Sequence, residues 1–192
     1  MGKLGIAANI AAGVLLVGAL GYYNFIDKAP VSGAKKGNRC PDFTAQTYKA
    51  DGATFSISDE TFTLSEQIGK ICVVNFWETW CQACVEELPS FNEIQEEYGD
   101  KVEVIAIAGV TSTVDSAMAW MNDKGWTTYD KDSDWTEFSL TFAYLPTANC
   151  KELGCGGMLP RTVIVDKSGI VAHEQDGSMT HEGLQEIIEG LL

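Results

Sequence analysis

The chain has 192 residues, with 13 Lys and Arg against 27 Asp and Glu, a formal net charge of -14, 45% hydrophobic residues and six cysteines. That length suits one domain with a full-sized core, and 21% charged residues beside so much apolar sequence argue against disorder. An acidic surface repels phosphate backbones, which argues against nucleic acid as a partner.

In chain order, the first feature is Leu4 to Ile26, 23 residues without a charge. At about 1.5 Å per residue such a helix crosses roughly 30 Å of hydrocarbon. Tyr22, Tyr23 and Phe25 stand at its far end, where amphipathic rings favour the headgroup layer, and Lys3 marks the other end. A cleaved signal peptide is the rival reading; the run is long for that and no A-x-A site closes it, which favours an uncleaved anchor over residues 1–27. Residues 28–39, with APVSGAKKGN, read as a flexible linker, and residues 40–192 as the domain. Lys28, Lys35, Lys36 and Arg39 after the apolar run oppose export by the charge rule. Large domains translocate against that bias, and six cysteines suit an oxidising or disulfide-handling compartment. The domain is therefore expected outside the membrane, and it carries the whole net charge.

Phe43–Tyr48 and Thr54–Ile57 flank Ala-Asp-Gly and predict a hairpin, followed by a helical turn near Ser65–Ile68. Ile71–Trp77 is nearly continuous in apolar residues, the pattern of a strand buried on both faces. From Cys81 to Tyr98, Leu88, Phe91, Ile94 and Tyr98 recur at spacings of three and four, predicting a helix. Val102–Ala108 reads as the next buried strand, and Val114–Lys124 as a helix stopped by Gly125. Trp126–Leu145 has no clear period. Thr162–Val165 and Ile170–His173 form a hairpin around Asp166–Gly169, and Thr180 opens a last helix with Leu184, Ile187, Ile188 and Leu191 on one side. The alternation of strands and helices means an α/β sheet.

Cys81 and Cys84 stand where the buried strand turns into a helix, close enough to bond. The first cysteine there faces unpaired N–H groups and the positive end of the helix dipole, which favour thiolate. Cys81 is thus the expected nucleophile and Cys84 the resolving thiol. The rival, half of a metal site or a structural bridge, fits a CxxC leaving a buried strand less well.

Asn75-Phe76-Trp77-Glu78-Thr79-Trp80-Cys81-Gln82-Ala83-Cys84, then Glu87, Pro89 and the distant Leu159-Pro160, resembles thioredoxin-fold proteins of the membrane-anchored TlpA/ResA type, over residues 40–192. The resemblance implies a thioredoxin fold, a central mixed sheet flanked by helices, with an N-terminal β-hairpin and a βα insert. It implies an extracytoplasmic thiol-disulfide oxidoreductase on a bacterial cytoplasmic membrane, with no cofactor beyond its redox-active disulfide. Oxidised proteins such as apocytochrome c would be its substrates, and a membrane conduit of the CcdA/DsbD kind its electron donor. Pro160 matches the family's cis-proline, with Leu159 and Trp80 beside the substrate. Glu87 matches an acidic residue held beside the cysteines, where a buried carboxyl resists ionisation and exchanges protons with the resolving sulfur; a solvated helix glutamate is the equal alternative. Three positions depart from the pattern. Asn75 replaces the buried aspartate of thioredoxin, Ala83 a common proline, and Arg161 a frequent threonine, adding positive charge near the substrate groove.

Cys150 and Cys155 precede the proline and admit three readings: a structural disulfide, a second redox pair exchanging with Cys81 and Cys84, or a loop whose oxidation alters substrate access. Cys72 reads as an inert core thiol, and Cys40 as either paired or free. His173 and His181 keep open one other class, a copper carrier on the same fold, although such carriers usually space their cysteines by three. A peroxidase would need a threonine and proline ahead of one reactive cysteine, which Thr79-Trp80-Cys81 lacks.

Overall fold

The computed structural model describes residues 34–51, 54–125 and 138–192. The expected anchor at 1–27 lies outside them, and among the described residues no helix is long and apolar enough to cross a membrane.

Seven strands form one mixed sheet in the order β2-β1-β5-β4-β3-β6-β7. At one edge β1 (Thr44–Asp51) and β2 (Thr54–Thr63) pair antiparallel. β2 runs on through polar Ser58–Thr61 because the neighbouring strand's side chains hold it: Gln46 Nε2 donates to the Ser58 carbonyl at 2.6 Å and Thr47 Oγ1 to the Glu60 carbonyl at 2.7 Å. The predicted turn is a 3-10 turn at Leu64–Gln67.

The centre of the sheet is a parallel pair, β3 (Ile71–Phe76) and β4 (Val102–Ala108), joined by helix α1 (Gln82–Tyr98). Alternation explains the unbroken apolar run of β3. Ile71 and Val73 face a core with Trp77, Leu88, Phe91 and Ile94, whereas Cys72, Val74 and Phe76 face a second core on the opposite side.

Helix α2 (Val114–Trp120) starts on a capping box between Thr113 and Ser116 and continues as a π turn through Met121–Gly125, so the helical pattern reaches the predicted glycine. Two elements have no counterpart in the sequence reading, β5 (Thr141–Tyr144), parallel to β4 and antiparallel to β1, and α3 (Thr147–Glu152). β6 (Arg161–Val165) and β7 (Val171–Asp176) make the late hairpin, and α4 (His181–Glu189) is capped by Thr180. The second core holds Cys40, Cys72, Cys150 and Cys155 together with Phe43, Leu145 and Val163.

Candidate active site

β3 ends at Phe76, and α1 begins six residues later with Cys81 as its N-cap. Cys81 and Cys84 are joined by a disulfide, with Cα atoms 5.3 Å apart. The Cys84 amide donates to Cys81 Sγ at 3.3 Å, so the first sulfur occupies the place of a capping oxygen at the positive end of the helix. The first turn of α1 carries no acidic residue to offset that field. Cys81 is 7% exposed and Cys84 not at all, so an incoming thiolate meets the Cys81 sulfur.

Glu87 follows Cys84 by one helical turn and points inward, only 4% exposed. Asn75 Nδ2 donates to its Oε1 at 2.7 Å and the Met179 amide to its Oε2 at 3.0 Å. Burial pushes its pKa up from 4.5 to about 7, even though both hydrogen bonds favour the carboxylate. Of the two readings of Glu87, the structure therefore has the buried one. A cleft of about 350 Å³ beside it is lined by Ala83, Glu86, Glu87, Ser90, Met179 and His181.

Asn75 lies opposite Thr162 in the β3–β6 register and also donates to Thr162 Oγ1, at 3.3 Å. Its Oδ1 is buried without a partner. Asn75 thus removes the thioredoxin aspartate and supplies a donor to a different carboxyl one helix away.

Pro160 is cis after Leu159. Phe76 pairs with Arg161, which places Pro160 beside the end of β3 from which the active-site loop departs. The Gly177 amide donates to the Pro160 carbonyl at 2.8 Å and fixes that corner. Leu159 is half-buried, while Trp80 is 65% exposed with Nε1 donating to Thr111 Oγ1 at 2.9 Å.

The positive charge expected at the groove from Arg161 is absent there. Successive strand residues face opposite ways, so with Thr162 turned to Asn75, Arg161 turns to the other face. It is 6% exposed, with Glu174 at 2.7 Å, Asp176 at 2.8 Å and the Ala34 carbonyl at 3.2 Å.

Sequence reasoning did not single out Glu78, which is fully buried between the strand and the disulfide. Its carboxylate accepts the amides of Gly109 at 3.3 Å, Thr111 at 2.7 Å and Ser112 at 3.2 Å, plus the Ser112 hydroxyl. Its backbone carbonyl accepts the Cys81 amide at 3.0 Å. The available signal was a carboxylate directly after a strand buried on both faces.

Cys150 and Cys155 are unbridged and buried, as are Cys40 and Cys72. Burial raises the thiols of Cys40 and Cys150 to about 12 and those of Cys72 and Cys155 in the same direction. His181 lies 3.4 Å from Glu97. Among the described residues no three His, Cys, Asp or Glu gather as metal ligands would.

The AhpC/TSA family model matches residues 36–174. Thioredoxin-like protein YneN of Bacillus subtilis is 29% identical over 186 residues, covering 93% of this chain and 95% of that protein. The thiol-disulfide oxidoreductase ResA of Geobacillus thermodenitrificans is 29% identical over 158 residues, covering 78% and 82%. Among solved structures, the thiol:disulfide interchange protein DsbE from Chlorobium tepidum superposes with a TM-score of 0.63 at 22% identity, covering 82% of this chain and 97% of its own, which makes the fold thioredoxin-like. The chain belongs to the AhpC/TSA family and is a thiol-disulfide oxidoreductase of the ResA/DsbE type.

Proposed function

We propose that the protein is a reductant of protein disulfides, held by its N-terminal segment on the extracytoplasmic side of a bacterial cytoplasmic membrane. Its substrates would be apocytochrome c or similar oxidised proteins, and a membrane donor of the CcdA/DsbD kind would recharge it. In the reduced enzyme the Cys81 thiolate attacks a substrate disulfide and one substrate sulfur leaves as a thiolate, which takes a proton from water. Glu87 takes the Cys84 proton, the Cys84 thiolate attacks the Cys81 sulfur, and the second substrate sulfur departs as a thiolate, likewise protonated from water. Two electrons pass to the substrate and the Cys81–Cys84 disulfide remains. Trp80, Leu159 and Pro160 present the substrate backbone to Cys81.

The observation that carries this reading is the buried Glu87 carboxyl beside the resolving cysteine, with its pKa raised to about 7. A group poised there is ionised often enough to accept the thiol proton and protonated often enough to return it during recharging. The test is the reduction potential of Cys81 and Cys84, measured on the full chain in detergent micelles by equilibration with dithiothreitol buffers and mass counting of trapped thiols. A value near or below roughly -250 mV is expected, and one above roughly -150 mV overturns the reductant reading in favour of an oxidant.

A further inference from the structure

The end of α3 is a turn of defined type. The Cys155 amide donates to the Cys150 carbonyl at 3.0 Å and the Gly154 amide to the Lys151 carbonyl at 3.0 Å. Gly154 between them has φ +83°, the left-handed conformation that glycine adopts without a Cβ penalty. These two bonds around a left-handed glycine make a Schellman motif, which sets the side chain two positions past the cap against the one three positions inside the helix. That contact is usually between apolar side chains; here both positions are cysteines. Both are buried in the same core, at 0% and 1% exposure, and Cys150 Sγ lies 3.3 Å from the Leu145 carbonyl. That fold-back is the approach a disulfide needs, since its Cα atoms stand roughly 4.4–6.8 Å apart.

We propose that Cys150 and Cys155 are a second dithiol, which closes to a disulfide staple across this turn and fixes the loop that carries Leu159 and Pro160. Four residues separate Cys155 from the cis-proline, two of them glycines, Gly156 and Gly157, with no neighbour within 4 Å of where a Cβ would stand. The glycine stretch is therefore held from the outside by little, although Leu159 packs on both cores at its far end, and a staple at its root reduces its freedom. The pair does not exchange with Cys81 and Cys84 in the folded protein, because the two pairs belong to cores on opposite faces of the sheet. Its oxidant is a low-molecular-weight disulfide such as oxidised glutathione. When the Gly156–Gly157 stretch opens and exposes Cys155, its thiolate attacks that disulfide and expels one thiol; the Cys150 thiolate then attacks the Cys155 sulfur and expels the second. The protein loses two electrons and two protons, and the small disulfide becomes two thiols. The consequence for substrate rests on the reading above that Leu159 and Pro160 contact it.

Trypsin separates the pair, since Lys151 lies between the two cysteines and Arg161 ends the second peptide. The full reduced chain in micelles is titrated with glutathione mixtures, trapped by alkylation under denaturing conditions, digested and weighed. The expected product is residues 132–151 joined to residues 152–161, reversed by dithiothreitol, with amide exchange in residues 153–158 slowing about tenfold on closure. Both cysteines alkylated throughout, a glutathione adduct on Cys155 that never resolves, or a bond from either to Cys40 or Cys72 each overturns the pairing. Closure without slower exchange overturns its action on the loop. Cys81 and Cys84 report in a separate peptide, residues 71–101, so failure of the catalytic reading shows independently.

Discussion

Glu87 shows how one side chain reads out its surroundings. Asn75 and Met179 stabilise its charge, yet burial outweighs them, because two hydrogen bonds replace only part of the hydration a carboxylate loses. The unpartnered Oδ1 of Asn75 completes the arrangement. Rotating that amide by half a turn presents an acceptor in place of a donor, so the carboxylic acid and the carboxylate each find a partner. A folded-state pKa of about 7 above an ordinary 4.5 means that the native protein keeps a proton the unfolded chain has released. This contribution is fully present below about pH 4.5 and is lost as pH rises through 7, a total on the order of 3 kcal/mol. Urea unfolding of the oxidised protein at a series of pH values should show stability falling across that window. Glu87→Gln should flatten the fall; an unchanged slope assigns it to other groups. The same variant should slow disulfide reduction about 100-fold at neutral pH and abolish the limb of the rate profile near pH 7, whereas a purely structural glutamate would leave the shape of that profile unaltered.

Elements meet at the site through Glu78, which ties the loop before Cys81 to the loop after β4. Gly109 in that second loop has φ +134°, and a Cβ on it would come within 1.9 Å of the Leu145 carbonyl, so β5 and the Glu78 loop close on one backbone position. Glu78→Ala leaves three amides and a hydroxyl in or near the interior without their acceptor. The expected cost is about 3 kcal/mol, a fall in Tm on the order of 10 °C by calorimetry, against little change for exposed Glu86→Ala. A drop no larger than that of the Glu86 variant removes Glu78 as the tie between the loops. Beyond the placing of Glu78 directly after a buried strand, none of this was legible in the chain, because a carboxylate acting as a backbone acceptor leaves no periodic trace. The elements that were legible, β3, α1 and β4, carry their own apolar period. β5 has four residues and α3 has six with no side-chain cap, too short to show one. The polar half of β7 is held by Glu174 and Asp176 on Arg161, a long-range pairing that also turns the arginine away from the groove where its place in the chain suggested it. The cysteine pair was readable from its spacing at the end of a buried strand; the cis-proline came from the family resemblance alone, and the inward glutamate stood level with a solvated one until the fold placed it.

For the molecule as a whole the decisive quantity is the charge of -14 and where it lies. Helix α1 contains Glu86, Glu87, Glu93, Glu96 and Glu97 and no basic residue, and α4 adds Glu182, Glu186 and Glu189. The disulfide therefore opens at one end of an acidic pair of helices, with exposed Trp80 at 65% and Met158 at 62% as apolar contacts and with the Arg161 charge neutralised by its own carboxylates. A field of that sign concentrates cationic partners and repels anionic ones at distances up to the Debye length, while the apolar side chains contribute a salt-independent part once contact is made. Two disulfide peptides of equal length, one flanked by lysines and the other by glutamates, should then separate in kcat/KM. Reduction of the lysine peptide should fall about tenfold between roughly 20 mM and 500 mM salt, with most of the change in KM, while the glutamate peptide gains and the two converge. Equal rates at low salt would mean that partner choice is made at the apolar contacts alone, and the acidic helices would have no part in it.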